Sequence, residues 1–431
     1  MAFYVHPTLR VNLRARINHI SLVRCFLLPL LRNLLSISCH LAKDIKMQSH
    51  TMLRRAPQLR SSFLRPGISG RVVTARAPST IQRRGQAVAA DTHAFPFEQS
   101  PPPFPILENA RTSVPTKTEQ LNIPAQRYQP EHYDALHKIM KIRQGYLKNR
   151  TIFVKGEDMV PLLRSLGARE EDMAGMQTVS ERLWTDPTLP FRKSRNGRFC
   201  LDWDTRSLRR LEFQPFALSI EEDFKRHDSG QVRVFDEIEN DLQLNSVFQA
   251  LLAFKSIVIH GISTLHRPKL DYSVNKWVST VFNLRTVTRP DMLGEPALEG
   301  VHTDGVDHTM TTFLGAKNMA SNSAVTFMHD MSETTGSRLN ETTPELIRER
   351  FQHRHFLDTV MIVDHERKHS ISPVYAVDAT KEATRDMLIF FTRKPVEKTH
   401  ISGSIDSFRP HIGKPMEVPL FVPGPHLPGL E

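Results

Sequence analysis

Cysteine is scarce in this chain. Three occur in 431 residues, and Cys25 and Cys39 both precede residue 90, which leaves Cys200 alone in the remainder. A disulfide scaffold and a cysteine-based zinc finger are therefore excluded. Long apolar runs are also missing: the most apolar stretch near the N-terminus, residues 26–38, is interrupted by a proline and an arginine and is too short to cross a bilayer. A membrane span is not expected.

Acidic residues are almost absent from the first 90 positions. This leader carries 15 basic residues and one acid, Asp44, so that the total charge of +11 becomes −3 for the rest of the chain. Nucleic acid is not an expected partner, because the excess positive charge lies outside the body. A leader rich in Arg, Ser, Ala and Leu and poor in acid is typical of a mitochondrial transit peptide. We therefore predict a disordered leader over residues 1–90 with a mitochondrial matrix address. A basic tail on a cytoplasmic protein is the alternative.

The rest of the chain divides by composition. Eight prolines from Pro96 to Pro130 predict an extended linker over residues 91–127. The chain as a whole has the composition of an ordinary globular protein, since 39% of its residues are hydrophobic and 24% are charged. We expect one domain over residues 128–400 and a C-terminal tail over residues 401–431.

The hydrophobic period changes along the domain. Helical spacing predicts helices near residues 130–149, 158–166 and 245–257. Short runs rich in β-branched and aromatic residues predict strands near residues 277–288, 309–314, 324–328, 357–363, 370–375 and 387–392. Between the middle runs, Thr343-Pro344-Glu345 reads as a helix start. Helices in front and strands behind indicate an α+β domain whose second half is a β-sandwich or jelly roll.

His302-Thr303-Asp304 is the first motif that could carry chemistry. On a strand, residues two apart share a face, so the imidazole and the carboxylate could reach one metal ion. About one such H-x-D triplet is expected by chance in this composition. A second copy, His132-Tyr133-Asp134, falls in the first predicted helix, where positions two apart diverge, and is interpreted as surface. The motif alone is therefore weak.

His365-Glu366-Arg367-Lys368-His369 matches H-E-x-x-H, the motif in which two helical histidines bind zinc and the glutamate activates water. Its context disfavours a zinc hydrolase. The motif follows a strand-like run, and Pro373 comes four residues after His369. The hydrolase remains as an alternative that needs a helix here.

Grouping His302 and Asp304 with the distal His369 gives a more consistent site. Two histidines and one carboxylate on one side of a metal leave positions open for a 2-oxo acid and dioxygen, as non-haem Fe(II) oxygenases require. Such enzymes also need a cation for the far carboxylate of 2-oxoglutarate. Arg385, sixteen positions after His369 at the start of a predicted strand, suits this role because a guanidinium binds carboxylate bidentately.

Several blocks, in order, resemble the 2OG-Fe dioxygenase family that includes bacterial L-isoleucine dioxygenases. The resemblance covers roughly residues 200–395 and is carried by Glu299 to Asp307, Lys317-Asn318, Leu357 to Asp364, His369 to Val374 and Arg385 to Leu388, with weaker similarity at Arg226 to Gly230, Val232 to Phe235 and Trp277 to Arg285.

This resemblance implies a double-stranded β-helix with Fe(II) held by His302, Asp304 and His369 and with 2-oxoglutarate anchored by Arg385. It implies hydroxylation of a small substrate, for which a free amino acid is the expectation, with release of succinate and CO2. A catalytically silent β-helix that binds a ligand is the alternative from another class. Two departures from the family pattern bear on substrate choice: Ser321-Asn322-Ser323 replaces paired glycines, and His308 replaces an apolar or aromatic residue, so it either lines the pocket or packs.

Other polar residues have weaker interpretations. Asp364 either orients a neighbouring group or is a solvated strand end. Arg285 could face a substrate carboxylate, and Arg385 could instead pair with Asp386. Three histidines are expected at the surface, as is usual for imidazole: His329, His353 and His355.

Overall fold

The computed structural model describes residues 120–222, Arg226 and residues 228–423. The predicted leader (1–90) and the Pro-rich segment up to residue 119 lie outside the described residues, as do His227 and the last eight positions. The predictions of a disordered leader and of an extended linker before residue 120 therefore stay predictions.

Six α-helices occur in the described residues. They are α1 (Ile123–Gln126), α2 (Pro130–Asn149), α3 (Gly156–Ser165), α4 (Glu170–Thr178), α5 (Asn240–Gln243) and α6 (Ser246–Ile259). The three predicted helices correspond to α2, α3 and α6. Proline at the first position starts α2, and the Asn245 side chain caps α6 by accepting from the N–H groups of Val247 and Phe248. Of the helices described, none combines the length and apolar character that crossing a bilayer requires.

Twelve strands occur in the same residues. They are β1 (Thr151–Val154), β2 (Arg192–Asp202), β3 (Ser207–Arg210), β4 (Asp236–Glu237), β5 (Lys276–Thr288), β6 (His308–Lys317), β7 (Val325–His329), β8 (Ile347–Gln352), β9 (Thr359–Val363), β10 (Lys368–Ile371), β11 (Ala383–Arg393) and β12 (Glu417–Pro419). The six predicted strand runs correspond to β5, β6, β7, β9, β10 and β11.

The strands form two sheets. The large sheet has the order β1-β9-β6-β11-β5-β2-β3-β12, with β4 added to β2, and the small sheet has the order β10-β7-β8. All pairings are antiparallel except that of β4 with β2. Met328 of the small sheet packs on Val360 and Ile362 of the large sheet, so the sheets face each other. This is the predicted jelly-roll architecture.

The large sheet is buried on both faces. Its helical face packs against α6, whose residues are all buried, and contributes Met310, Met361, Leu388 and Phe390 to the main core. Because side chains alternate along a strand, the neighbouring positions face the small sheet. This inner face carries Thr309 and Thr311 on β6, Phe282 and Leu284 on β5, and Arg385, Met387, Ile389 and Phe391 on β11.

Two predicted boundaries differ from the structure. Leu121 and Ile123 are 3% and 2% exposed and belong to the main core, so the domain begins before residue 128. At the other end, β12 pairs with β3, and Val418 is completely buried in the same core. The domain therefore extends past residue 400, because the returning segment covers the edge of β3.

The predicted helix start at Thr343-Pro344-Glu345 is wrong. Pro344–Leu346 forms a single 3₁₀ turn, and the Thr343 side chain makes no capping hydrogen bond to it. The chain then enters β8, whose backbone pairs with β7. The tertiary pairing of Ile347–Gln352 overrides the local helix signal.

Candidate metal centre

Three side chains converge between the two sheets. His302, Asp304 and His369 present one donor atom each, and these atoms lie within 4.8 Å of one another. Asp304 Oδ1 is 3.4 Å from Nε2 of His302 and 3.7 Å from Nε2 of His369. All three residues are buried. The sequence-predicted ligands are therefore brought together, and we call them the His-Asp-His cluster.

The backbone holds the two histidines side by side. His302 and His369 form an isolated antiparallel bridge in which each N–H donates to the carbonyl of the other, at 2.9 Å in both directions. His369 lies on β10, while His302 follows the turn at Gly300. The Nδ1–H of His302 donates to the Gly300 carbonyl at 2.9 Å, which leaves Nε2 free to face Asp304.

Asp304 is oriented by two neighbours. The Thr309 hydroxyl donates to Asp304 Oδ2 at 2.6 Å. The Asp304 backbone N–H donates to Oδ1 of Asp364 at 2.8 Å, and the Val306 N–H donates to Oδ2 of the same carboxylate at 3.2 Å. Asp364 is completely buried and lies in contact with Arg267, so it orients the loop that carries Asp304 and is not a solvated strand end. Thr309 could not be found from sequence, since one inward threonine on a strand has no signature.

The electrostatics of the cluster favour a bound cation. Burial lowers the pKa of His302, but Glu299 and Asp304 outweigh it and raise that pKa to about 9. Burial raises the pKa of Asp304, but His369 and His302 outweigh it and lower that pKa to about 2. Burial lowers the pKa of His369 to about 4. An ionised carboxylate beside two imidazole nitrogens is a donor set that suits Fe(II).

Arg385 supplies a buried positive charge without a protein partner. Its side chain lies on the inner face, and in the described part of the chain it makes no hydrogen bond or ion pair, with Nε buried and unsatisfied. Burial lowers its pKa to about 10. The neighbouring Asp386 does not pair with Arg385, because the Asp386 carboxylate accepts from Nε and Nη2 of Arg285 at 2.6 and 2.7 Å. Neither the Arg385–Asp386 pair nor a substrate-facing Arg285 is therefore present.

The H-E-x-x-H motif does not form a zinc site. Asp364–Glu366 is a 3₁₀ turn and His369 lies on β10, so the two histidines do not share a helical face. His365 Nδ1 lies 3.0 Å from Arg267, and the Glu366 carboxylate is bound by Arg150. His369 instead joins His302 and Asp304. The hydrolase alternative is thereby contradicted.

Several histidines predicted at the surface are buried. His353 is 2% exposed and hydrogen-bonds Thr311 through Nε2 at 3.2 Å, and burial followed by the charge of Arg385 lowers its pKa to about 3. His329 is completely buried and contacts the Ser370 hydroxyl at 2.9 Å. His329 ends β7, and His353 directly follows β8 and contacts the ring of Phe153 on the large sheet. His355 is half-buried.

Two further histidines are also core residues. His132 is 3% exposed and donates from Nδ1 to the Ser165 carbonyl at 3.0 Å, so it packs α2 on α3 and is not a surface residue. His308 packs on the helical face of the large sheet, where Nδ1 lies 2.9 Å from the Tyr146 hydroxyl and the ring lies 5.0 Å from that of Trp277. It does not line the inner face.

A buried two-histidine, one-carboxylate cluster inside a double-stranded β-helix defines the class of non-haem iron oxygenases. The comparisons with known proteins agree. The family model "2OG-Fe dioxygenase" matches residues 177–391. The Fe(II)/α-ketoglutarate-dependent dioxygenase TqaL, a solved structure, is 60% identical, with a TM-score of 0.60 over 68% of this chain and 100% of that one.

A curated relative is similar over much of the chain. The bifunctional enzyme flvA of Aspergillus flavus is 47% identical over 302 residues, which is 70% of this chain and 37% of that protein. The chain thus spans little more than a third of the length of this relative. The chain described here belongs to the 2OG-Fe dioxygenase family, which confirms the resemblance seen in the sequence. The domain is a 2-oxoglutarate-dependent dioxygenase domain, with Fe(II) as its metal and 2-oxoglutarate as its co-substrate.

Proposed function

We propose that His302, Asp304 and His369 hold Fe(II) and that Arg385 binds the far carboxylate of 2-oxoglutarate. The observation that carries this proposal is the pairing of a converged donor set with a buried guanidinium that has no partner in the described residues. An uncompensated buried charge is costly, so an anion is its expected partner. Bound iron supplies the coupling of dioxygen to decarboxylation of 2-oxoglutarate, with succinate and CO2 as products.

The protein residues have separate tasks in this reaction. The His302–His369 bridge and the Asp364 contacts fix the donor atoms before metal arrives, which lowers the reorganisation needed on binding. Arg385 orients 2-oxoglutarate from the opposite end. The burial of the cluster excludes bulk water from the reacting groups.

The substrate we propose is a small free amino acid, which the chain hydroxylates. Apolar side chains adjoin the cluster: Phe391 lies opposite Thr309 in the register, and its ring lies 5.6 Å from that of Phe282. Charged side chains occur at the same inner face, where Arg192 and Asp186 form a buried pair at 2.8 Å. A surface that is part apolar and part ionic suits a small zwitterion better than a hydrocarbon.

Anaerobic Fe(II) titration followed by a succinate-release assay against the proteinogenic amino acids tests this function. We expect one Fe(II) per chain and turnover of 2-oxoglutarate that rises with at least one amino acid. His302→Ala and Asp304→Ala should abolish Fe(II) binding and turnover. A catalytically silent binding protein would bind no Fe(II) and turn over no 2-oxoglutarate. Normal turnover in either variant would overturn the ligand assignment.

A mitochondrial address is a separate proposal, supported by the composition of the leader alone. A fluorescent protein fused behind residues 1–90 should enter mitochondria, and replacing the leader arginines with glutamine should leave it in the cytoplasm. A cytoplasmic wild-type fusion would contradict it.

A further inference from the structure

His353 places a buried imidazole close to Arg385. It directly follows β8 and is 2% exposed. Burial lowers the pKa of His353, and the charge of Arg385 lowers it further, to about 3, so the ring is neutral at physiological pH. A neutral imidazole has one nitrogen that donates and one that accepts. The partners of the two nitrogens therefore decide what this ring can bind.

Thr311 is the partner of one nitrogen. Nε2 of His353 lies 3.2 Å from the Thr311 hydroxyl and 3.3 Å from the Thr311 carbonyl oxygen. The carbonyl belongs to the β6 backbone, where Thr311 pairs with Val360 of β9. The hydroxyl is the closer group and can donate to Nε2, which puts the ring proton on Nδ1.

The other nitrogen has no partner. In the described residues the buried Nδ1 atom of His353 makes no hydrogen bond, and neither does Nε of Arg385. Thr311 and Arg385 share the inner face of the large sheet, so His353 and Arg385 border the same space between the sheets. Two buried donors without an acceptor are unfavourable, and an anion in this space would satisfy both.

The protein holds His353 in place without a ligand. The N–H groups of Arg354 and His355 both donate to Oδ2 of Asp358 at 2.8 Å, which anchors the segment after β8. The imidazole also packs edge-on against Phe153, with 6.0 Å between the ring centroids and 75° between the ring planes. A donor that is fixed in advance needs little reorganisation when its ligand binds.

We propose that Nδ1–H of His353 donates to the far carboxylate of 2-oxoglutarate, beside Arg385, and makes the site selective for a dicarboxylic 2-oxo acid. This inference rests on the proposed function, in which Arg385 binds that carboxylate. A carboxylate has two oxygens, so a guanidinium and an imidazole N–H can bind it together. A hydrogen bond to an ionised acceptor is strong, and a co-substrate without the second carboxylate would not form it.

The test is anaerobic calorimetry on the full chain loaded with Fe(II). The two ligands are 2-oxoglutarate and 2-oxopentanoate, which has a methyl group in place of the far carboxylate. His353→Gln keeps an amide nitrogen near the place of Nε2, and His353→Asn keeps one near the place of Nδ1. We expect His353→Gln to weaken 2-oxoglutarate binding at least about 10-fold and His353→Asn to weaken it less than about threefold. Neither variant should change the affinity for 2-oxopentanoate or for Fe(II).

Thr311→Val tests the same contact without changing the imidazole. Valine has the shape of threonine but no hydroxyl, so Nε2 of His353 keeps only the backbone carbonyl as its neighbour and takes the proton. Nδ1 then becomes an acceptor, which a carboxylate repels. We expect 2-oxoglutarate to bind at least about 10-fold more weakly, with unchanged Fe(II) affinity. This variant tests the contact even if a His353 variant fails to fold.

His355→Gln is the matched control. His355 lies two residues further along the same segment and is half-buried, so the affinities for both ligands should stay at the wild-type values. A loss in His353→Asn as large as that in His353→Gln, or equal losses for the two ligands, would overturn the assignment of His353. Wild-type affinity for 2-oxoglutarate in His353→Gln or in Thr311→Val would also overturn it.

A failure of the proposed function gives a different result. If Arg385→Gln binds 2-oxoglutarate as tightly as the wild type does, Arg385 does not hold the far carboxylate, whatever the His353 variants show. If Arg385→Gln weakens binding and His353→Gln does not, the assignment of His353 alone is overturned.

Discussion

Arg150 and Glu366 form a two-point ion pair that joins the end of α2 to the turn before β10. Nε and Nη2 of Arg150 donate to the two carboxylate oxygens of Glu366 at 2.6 and 2.7 Å. Burial raises the pKa of Glu366, but Arg150 outweighs it and holds that pKa below its ordinary value. The carboxylate that would activate water in a zinc hydrolase is thus committed to a structural contact.

Glu366→Gln should therefore leave the dioxygenase working. We expect 2-oxoglutarate turnover within about twofold of wild type and a loss of ~1 kcal/mol in the free energy of unfolding, since the pair is partly exposed. Succinate release and urea unfolding measure the two effects. Loss of turnover with unchanged stability would give Glu366 a chemical role.

Asp364→Asn should weaken metal binding. The carboxylate accepts from the N–H groups of Asp304 and Val306, and an amide can accept only one of these because its NH₂ group faces the other donor. We expect Fe(II) affinity to fall about 10- to 100-fold in anaerobic calorimetry, as for other groups that orient metal ligands.

Asp358→Asn controls for the loss of a buried carboxylate. Asp358 accepts from the N–H groups of Gly156, Arg354 and His355 at 2.7, 2.8 and 2.8 Å and contacts no member of the cluster. This variant should lose stability and keep wild-type Fe(II) affinity. Equal Fe(II) affinities in the two variants would refute a specific role for Asp364.

Arg385 should determine the KM for 2-oxoglutarate. Lysine keeps the charge but not the planar fork, so Arg385→Lys should raise this KM about 10-fold, and Arg385→Gln about 100-fold. Arg285→Lys is the matched control, because Arg285 lies one strand away and its guanidinium binds Asp386. Succinate release measured against 2-oxoglutarate concentration gives the KM of each variant. A larger increase of this KM in Arg285→Lys than in Arg385→Lys would contradict the assignment of Arg385 to 2-oxoglutarate.

The cluster was predictable from sequence because its ligands come in blocks with a fixed order, and because local apolar runs define the strands on either side. The strand β2 was not predictable. Its sequence shows no apolar alternation, because three arginines occur along it. All three are nevertheless largely buried: Arg192, Arg195 and Arg198. Asp241 and Asp406, which balance Arg195 and Arg198, are distant in sequence, and Asp186, which balances Arg192, lies in the loop before the strand, so that no local pattern reveals the pairs.

The inner positions of Glu299 and His353 were not predicted from the sequence, for a related reason. Each depends on groups brought together by the fold: His302 after the Gly300 turn for Glu299, and Thr311 across the inner face for His353. Burial of a polar side chain is a property of the tertiary packing, so composition suggests a surface position where the structure has an inner one.

Asp186 makes the start of β2 sensitive to acid. Its carboxylate accepts five hydrogen bonds, from Nε of Arg192, the hydroxyls of Ser194 and Thr188, and the N–H groups of Thr188 and Leu189. Burial raises the pKa of Asp186, but Arg192 and the other donors outweigh it, so the pKa lies below its ordinary value. The stabilisation is therefore complete above the pKa of the unfolded chain and is lost as the pH falls through the lower folded value.

Asp186→Asn should cost ~3 kcal/mol in the free energy of unfolding at pH 7, because Arg192 would stay buried without its counter-charge. Below about pH 5 the wild type should lose stability faster than the variant, so that the two converge. Urea unfolding between about pH 7 and about pH 2 measures this, with the exposed Asp291→Asn as control, which should follow the wild type throughout. A difference between Asp186→Asn and wild type that stays constant with pH would show that Asp186 contributes through packing and not through its charge.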